Sequence, residues 1–418
     1  MPMQTQSKDN LLKSYLNWLK PHAHQVAQTH MHLLELRQNG LRQAAAIIAQ
    51  QVQSYRQMPR ELFSIADLRE FAEGDIVKCL GQDYAVYKGR RSPRIPNGDL
   101  LLMSRIMTIQ GQPGQLAQKA NIASEYDVPQ DAWYINENVK GQLPISICLE
   151  IALQPCGFLS AFLGTPLRFP EVDFFFRNLD GQVLFTRPVD ARGKTIQTRA
   201  VLIETIFSGT TIIQHFSFEL LCDGLVFFKG RSSFGYFPTQ SMENQIGLDG
   251  GKASSPWFQN NIPSATLQPV SKEGSGPPAG KLRLIERVVM DQSSGIHQAG
   301  YIYANRSNSA ADWYYACHFY QDPVMPGSLG IEAIVQAMTV FALSQEKSHP
   351  VVFMATGQEM TWKYRGQVLQ KNKQMQVEVH FRKSHAVGGA RLLSGDASLW
   401  ADNIRIYEIH NLTLAIQE

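Results

Sequence analysis

The stretch that decides the fold is ADWYYACHFYQDPVMPGSLGIEAIVQAM, residues 311–338, in which an aromatic run leads through a proline-rich turn into an apolar segment. His318 lies in the aromatic run, and the turn occupies residues 322–327. The segment from Leu329 to about Gln345 has the periodicity and length of a buried helix. A titratable ring close to a glycine-bearing helix N-terminus is a pattern typical of an active site.

The same arrangement occurs earlier in the chain, which indicates two copies of one structural unit. Each copy has a Trp-Tyr pair, then a Pro-x-Ser element opening a helix, then a Glu six residues after the proline and a Gln four residues after the Glu. The matched residues are Pro144, Ser146, Glu150 and Gln154 in the first copy, and Pro326, Ser328, Glu332 and Gln336 in the second. Only the second copy has a histidine in the stretch before the helix, His318, because the first has Asn136-Glu137-Asn138 at that place.

Strand-like runs surround both helices, so each copy is predicted to be one long helix wrapped by an antiparallel sheet. This is the hot-dog architecture, and the chain is predicted to be α+β with a tandem (double) hot-dog fold whose two sheets join edge to edge, which covers both edges. The predicted parts are a helical linker or docking segment at 1–58, a first hot-dog at 59–245, a flexible Gly/Ser/Pro-rich linker at 246–280 and a second hot-dog at 281–418.

Local signals set the expected boundaries. Ser146 is expected to cap a helix from Ile147 to about Leu163 that ends at Gly164, and Pro155 is expected to kink it. Pro21 is expected to separate two helical runs in the N-terminal segment. The predicted strands are residues 100–103, 172–176, 195–206, 211–221, 225–237, 300–304, 351–354, 360–364, 375–382, 390–400 and 404–416, with a hairpin at Asp223-Gly224.

Composition excludes several classes of protein. The 39 Lys and Arg against 36 Asp and Glu give a net charge of +3, which argues against a nucleic-acid-binding protein. Five cysteines, an odd number at spacings that fit no zinc site, indicate reduced thiols in a cytoplasmic protein and no metal. The sequence has no apolar run of the ~18–20 residues that span a bilayer and no signal-peptide pattern at its start, so no stable membrane insertion is expected.

The motif HFxxDPVMPGxLG at 318–330 resembles the signature of the bacterial 3-hydroxydecanoyl-acyl-carrier-protein dehydratase/isomerase family, and KYRGQ at 363–367 is similar to a strand motif downstream in that family. The tandem arrangement resembles the dehydratase regions of polyunsaturated fatty acid synthases and heterocyst-glycolipid-type iterative synthases. That resemblance covers most of 60–418, including EYDVPxDAWY at 125–134 and LQPCG at 153–157. The chain departs from the small bacterial enzyme in carrying Glu, not Asp, on both helices.

The resemblance implies that the histidine of one hot-dog works with an acid on the helix of the other. His318 would then be the base and Glu150 the acid. The backbone N–H groups of Gly327 and Ser328 are expected to bind the developing oxyanion, and Gln154 is expected to orient Glu150. Glu332 and Gln336 would lie in a vestigial site that faces the histidine-free 136–138 region.

The expected function is conversion of 3-hydroxyacyl thioesters on acyl carrier protein to 2-enoyl thioesters, and the resemblance allows double-bond isomerisation as well. No cofactor is expected beyond the phosphopantetheine that carries the substrate. The expected partners are acyl carrier protein and other synthase domains, with a homodimer as one arrangement of the chain.

Several alternatives remain open from the residues alone. The chain could be a hot-dog thioesterase, or a catalytically poor scaffold that binds the carrier protein. His318 and Glu150 could be structural, with Glu150 satisfied by Gln154. Cys317 could act as a nucleophile with His318, although adjacent residues of a strand point to opposite faces. Asp322 is expected to be a turn residue, and Lys363 and Arg365 could meet the carrier arm or lie on a solvated face.

Overall fold

The computed structural model describes residues 5–57, 61–138, 142–243, 246–262, 265–270, 280–346 and 350–417, in two compact units, 1–60 and 61–418. The first unit is one helix, α1, Thr5–Gln57. The prediction that Pro21 divides two helical runs is wrong, because α1 continues through it; a proline removes one backbone hydrogen bond, and a long helix can retain the rest. Histidines 24, 30 and 32 are exposed, as a solvated helix surface requires.

The second unit contains all the strands of the described residues and their remaining helices. Its helices are α2 Ile65–Ala72, α3 Ile76–Leu80, α4 Trp133–Asn136, α5 Ile145–Phe162, α6 Thr239–Met242, α7 Trp257–Asn261, α8 Tyr314–Cys317 and α9 Gly327–Ser344. Its strands are β1 Arg105–Gln110, β2 Ala120–Asp127, β3 Phe174–Phe185, β4 Thr195–Ser208, β5 Thr211–Cys222, β6 Leu225–Pro238, β7 Gln268–Pro269, β8 Arg287–Asp291, β9 Tyr301–Ser307, β10 Val351–Met354, β11 Glu359–Tyr364, β12 Gln374–Phe381, β13 His385–Val387, β14 Ala390–Ala401 and β15 Ile404–Gln417.

The two repeats share one antiparallel sheet. Its main path runs β1-β2-β4-β5-β6-β3 in the first repeat and continues β11-β15-β14-β12-β9-β8-β7 in the second. The join is the pairing of β3 with β11, from Glu359 opposite Leu184 to Lys363 opposite Asp180. Each repeat therefore covers the exposed edge of the other, and the predicted α+β tandem hot-dog fold is confirmed.

The two long helices lie side by side in the core. α5 and α9 contact each other, and the sheet of each repeat wraps its own helix. Trp133 and Trp313, at matching places in the two repeats, meet with ring centroids 5.2 Å apart. By length and composition two helical segments, Ile145–Arg168 and Gly327–Ser344, are apolar enough to cross a membrane. They are largely buried inside the protein, over 89% and 67% of their apolar windows, as core helices are.

The helix starts differ from those predicted. α5 begins at Ile145 with Pro144 as its N-cap, so Ser146 is a first-turn residue and not the cap. α9 likewise begins at Gly327, two residues earlier than predicted, after Pro326. Proline suits this position because its fixed φ leads into the helix and its missing N–H would have no partner there. The serines that follow are thereby free to contact the other repeat.

Most of the predicted strands occur within two or three residues of their expected ends, but three regions differ. β3 continues to Phe185, nine residues beyond its predicted end at residue 176. Residues 100–103 are not a strand, since their apolar side chains pack beneath α5 in an irregular segment. β2 was missed because its alternation, ANIASEYD, contains few strongly apolar residues. The hairpin at Asp223-Gly224 is confirmed, with positive φ at both residues and Cys222 paired to Leu225.

The segment predicted as a flexible linker is partly folded, so that prediction is wrong for part of 246–280. The backbone N–H of Trp257 donates to Oε2 of Glu378 at 2.7 Å, and its ring lies 5.0 Å from that of Tyr301. β7 pairs with β8. The physical reason is that aromatic side chains within this Gly/Ser/Pro-rich segment bury themselves on the second repeat. Residues 271–279 lie outside the described part of the chain.

Candidate active site

His318 lies at the end of the short helix α8, immediately after Cys317, and not in a strand as the sequence suggested. Its side chain is 8% exposed. Nδ1 lies 3.1 Å from the carbonyl oxygen of Val324, which has only acceptor capacity, so Nδ1 carries the hydrogen and Nε2 has a free lone pair. Burial lowers the pKa of His318 well below its ordinary value, so the ring is neutral at neutral pH. A neutral imidazole with free Nε2 is able to accept a proton.

Glu150 lies near the middle of α5 and is also buried. Its Oε1 accepts a 2.7 Å hydrogen bond from the hydroxyl of Ser328, across the interface between the repeats. Its Oε2 accepts from Nε2 of Gln154 at 3.2 Å. Burial raises the pKa of Glu150, and these two hydrogen bonds oppose the rise without cancelling it. The side chain is therefore biased toward the protonated form that can give up a proton.

Gln154 holds Glu150 against the irregular 100–102 segment. Its Oε1 accepts from the backbone N–H of Leu102 at 3.0 Å, and its Nε2 donates to the carbonyl of Leu100 at 2.7 Å. A side chain fixed at both ends has little freedom to rotate. This arrangement supplies the orienting contact predicted for Gln154.

The second repeat carries the same carboxylate arrangement with the roles of the repeats exchanged. Oε2 of Glu332 accepts from the hydroxyl of Ser146 at 3.1 Å and from its N–H at 3.3 Å. Gln336 accepts from the N–H of Leu284 at 3.1 Å and donates to the carbonyl of Leu282 at 2.7 Å. The helix N-terminus of each repeat therefore lies against the glutamate of the other.

A cavity of about 430 Å³ brings the predicted residues of the two repeats together. His318, Gly327 and Ser328 line it from the second repeat, and Glu150 and Gln154 line it from the first. The remaining wall is mainly apolar and aromatic. Glu332 and Gln336 line a separate cavity of about 50 Å³ that includes Asn138 of the first repeat and is too small for an acyl chain with its thioester.

The first turn of α9 faces the large cavity. Its leading N–H groups have no carbonyl one turn earlier to accept from them, so Gly327 and Ser328 present donors and the positive end of the helix dipole. Tyr364 packs against this turn, and a Cβ at Gly327 would come 2.7 Å from its ring. Position 327 therefore has no room for a side chain beside Tyr364, whether or not substrate approaches it.

The alternatives for neighbouring residues are resolved by their contacts. Asp322 forms a bidentate ion pair with Arg177 of the first repeat at 2.6 and 2.7 Å. This pair fixes the carboxylate of Asp322 between the turn and the first repeat. Sγ of Cys317 packs against Gly98, and burial raises the pKa of its thiol, which disfavours the thiolate that a nucleophile needs. Lys363 pairs loosely with Glu408, 3.9 Å away, on a partly exposed strand face.

The hydroxyl of Ser328 makes a contact with the candidate acid, Glu150, that the sequence did not reveal. Only its backbone N–H was predicted to act. The signal was present in the repeat, because each Pro-x-Ser serine donates to the glutamate of the opposite helix. It was not readable without knowing how α5 and α9 pack.

We expect Glu332 to make stability depend on pH. It is 2% exposed, and burial raises its pKa to about 7, whereas an unfolded Glu titrates at about 4.3. Between these values the folded protein binds more protons than the unfolded chain, so the free energy of unfolding falls as pH rises, by about 3 kcal/mol at pH 8. Glu332→Gln should remove this loss, which thermal midpoints of variant and wild type at pH 5 and pH 8 would measure. The same pH dependence in both proteins would contradict the assignment.

Comparison with known proteins gives a match to a domain family and a match to a much longer protein. Residues 277–410 match the FabA-like domain. The chain is 33% identical over 392 residues to a polyunsaturated fatty acid synthase protein of a Thraustochytrium species, an alignment that covers 86% of this chain and 26% of that protein. The chain therefore spans about a quarter of the length of this relative.

Solved structures with a similar arrangement include proteins of two activities. A dehydratase domain from a curacin polyketide synthase has a TM-score of 0.42 at 11% identity, covering 76% of this chain and 97% of that one. An oleoyl thioesterase (putative) from Lactobacillus plantarum also has a TM-score of 0.42, at 8% identity, covering 73% and 99%. Likenesses of this size do not distinguish a dehydratase from a thioesterase, so the choice depends on the site.

Proposed function

Because residues 277–410 match the FabA-like domain, we propose that this chain is a dehydratase that converts 3-hydroxyacyl thioesters to 2-enoyl thioesters. The observation that carries the proposal is the single cavity in which a neutral histidine of one repeat meets a buried glutamate of the other. β-Elimination of water needs one group that takes a proton and one that gives a proton. The neutral ring of His318 can take a proton, and the buried carboxyl of Glu150 can give one.

The base is His318. Its Nε2 takes the proton from C2 of the substrate, while Nδ1–H keeps its bond to the carbonyl of Val324. That bond fixes the tautomer and the ring orientation, and it stabilises the imidazolium that forms. A positioned general base of this kind accelerates a reaction by about 10²–10⁴-fold.

The acid is Glu150. It gives its proton to the 3-hydroxyl group as the C3–O bond breaks, and the hydroxyl leaves as water. Burial favours the protonated acid before this step, and the Ser328 hydroxyl stabilises the carboxylate that remains. Transfer of the C2 proton from His318 to solvent and reprotonation of Glu150 complete the cycle.

The negative charge that develops on the thioester oxygen is assigned to the N-terminus of α9. Gly327 and Ser328 line the cavity there, and fixed N–H donors at a helix N-terminus stabilise an oxyanion without reorganisation. Loss of one such donor typically costs about 10²–10³-fold in kcat. Each of these steps uses groups of the chain itself.

We propose further that the substrate arrives on the phosphopantetheine of an acyl carrier protein and that the chain works alongside other synthase domains. The support is that its long relative is a synthase protein of which this chain matches 26%. The mainly apolar cavity wall suits an acyl chain.

The proposal is tested by incubating the protein with 3-hydroxyacyl thioesters of several chain lengths. We expect a 2-enoyl thioester as the product, lighter than the substrate by the mass of one water in mass spectrometry. Double-bond position in the product shows whether isomerisation follows. Release of free acid and thiol would instead identify a thioesterase, and recovery of unchanged substrate would identify a non-catalytic scaffold; either result contradicts the proposal.

A further inference from the structure

Unpaired hydrogen-bond donors are concentrated in the segment Arg91–Arg94. In the part of the chain that the structure describes, five buried side-chain nitrogen or oxygen atoms have no partner, and three of them lie within these four residues: Arg91 Nε, Ser92 Oγ and Arg94 Nε. All three carry a hydrogen to donate. An unmet buried donor costs about 1–3 kcal/mol. Of these three residues only Arg94 lines the large cavity, so only Arg94 can meet a ligand there.

The same segment contributes a positive charge to the wall of the large cavity. Three arginines line that cavity: Arg94, Arg177 and Arg365. Arg177 is neutralised by the bidentate pair with Asp322. Arg365 is neutralised by a bidentate pair with Asp180, at 2.8 and 3.1 Å. The charge that remains on the wall is therefore that of Arg94.

Arg94 is held by neutral acceptors only. Its Nη1 donates to the carbonyl oxygens of Glu70, Phe71 and Gly74, at 3.1, 2.9 and 3.1 Å. These carbonyls belong to the C-terminal end of α2 and the turn that follows it, so they fix the guanidinium in place without cancelling its charge. Nε is buried, so Nη2 is the nitrogen that is left for a ligand.

Arg94 lines the cavity close to the chain segment that carries the proposed base. The guanidinium carbon is 5.6 Å from the ring centroid of Tyr320, and that tyrosine is 41% exposed. Tyr320 is two residues from His318 in the chain. A thioester that reached His318 from this side would leave its carrier arm beside Arg94.

We propose that Arg94 forms an anion subsite for the phosphate of the phosphopantetheine arm. The inference rests on the proposed function. The pantetheine part of the arm is built of uncharged amides and hydroxyls, so its phosphate is the group that matches a fixed guanidinium. A guanidinium suits phosphate because it offers parallel N–H donors and a permanent charge.

The test compares two ligands that differ only in the phosphate, 4′-phosphopantetheine and pantetheine, by calorimetric titration of the full chain. Wild type should bind the phosphorylated ligand about tenfold more tightly, the equivalent of one charge-assisted hydrogen bond. Arg94→Met should abolish this preference and Arg94→Lys should retain part of it. The matched control is Arg90→Met, which removes an equal charge four residues earlier in the chain, from a residue that is paired with Asp173 at 2.8 Å and does not line the cavity. This variant should keep the preference.

Equal binding of the two ligands by wild type would overturn the subsite, as would an equal loss of both ligands in Arg94→Met, which indicates a structural role. Turnover then separates the subsite from the dehydratase proposal. A wild type that prefers the phosphorylated ligand but forms no enoyl thioester would contradict the dehydratase proposal and support the subsite. Carrier-protein and coenzyme A thioesters of one 3-hydroxy acid distinguish the source of the phosphate, and Arg94→Met should raise KM most for the carrier-bound substrate.

Discussion

His318→Ala should lower the rate of 3-hydroxyacyl thioester dehydration by about 10³-fold, within the range that a positioned general base contributes. The methyl group of alanine cannot take the C2 proton, and the remaining groups of the cavity only bind and polarise the substrate. The change is measured as kcat for enoyl thioester formation. Circular dichroism and the thermal midpoint show whether the fold is intact, since the ring is buried and its loss leaves a small cavity.

Cys317→Ala is the matched control for this variant. The residue is adjacent to His318 in the chain, but its Sγ packs against Gly98. We expect its rate to stay within a few-fold of wild type. A His318→Ala protein that keeps its rate would show that His318 is not the base. A Cys317→Ala protein that loses its rate would support Cys317 as a nucleophile paired with His318.

Glu150→Gln should lower the rate by about 10²–10³-fold while the protein stays folded. The amide oxygen of glutamine can replace Oε2 and accept from Gln154, and its NH2 group can replace Oε1 and donate to the hydroxyl of Ser328, which is able to accept, so the local packing is preserved. The amide has no acidic proton to give to the leaving hydroxyl. The variant therefore separates proton donation from structure, and kcat at saturating substrate is the quantity to measure.

Glu332→Gln makes the same chemical change at the equivalent position of the other repeat. Glu332 accepts from Ser146 as Glu150 accepts from Ser328, but it lines the small cavity and not the one with His318. We expect near-wild-type turnover from this variant. Loss of turnover in Glu332→Gln with retention in Glu150→Gln would reverse the assignment of the two sites.

The repeat made much of the fold predictable. The spacing from proline to serine, glutamate and glutamine is local information, and it located both central helices to within two residues at their starts. Alternating apolar residues likewise located most strands. Serine's preference for the N-cap position misled the prediction at Ser146, because the contact it makes with Glu332 lies 186 residues away in sequence.

The linker and the 100–103 region show why local patterns were insufficient elsewhere. Composition indicated a flexible segment at 246–280, but Trp257 finds a surface on the second repeat that only the folded chain offers. The apolar run at 100–103 indicated a strand, but Leu100 and Leu102 give their backbone groups to Gln154 and not to a neighbouring strand.

The sequence by itself determined that the chain has two like repeats, that each central helix carries a Glu and a Gln one turn apart, and that only the second repeat has the histidine. These features are set by residue identity and spacing along one chain segment. The tertiary structure decided which carboxyl shares a cavity with His318, that Ser328 uses its hydroxyl, and that the charge of Arg94 is left without a carboxylate partner. These depend on how α5 packs on α9 and how β3 pairs with β11, which are contacts between residues more than 100 positions apart, and no local pattern specifies them.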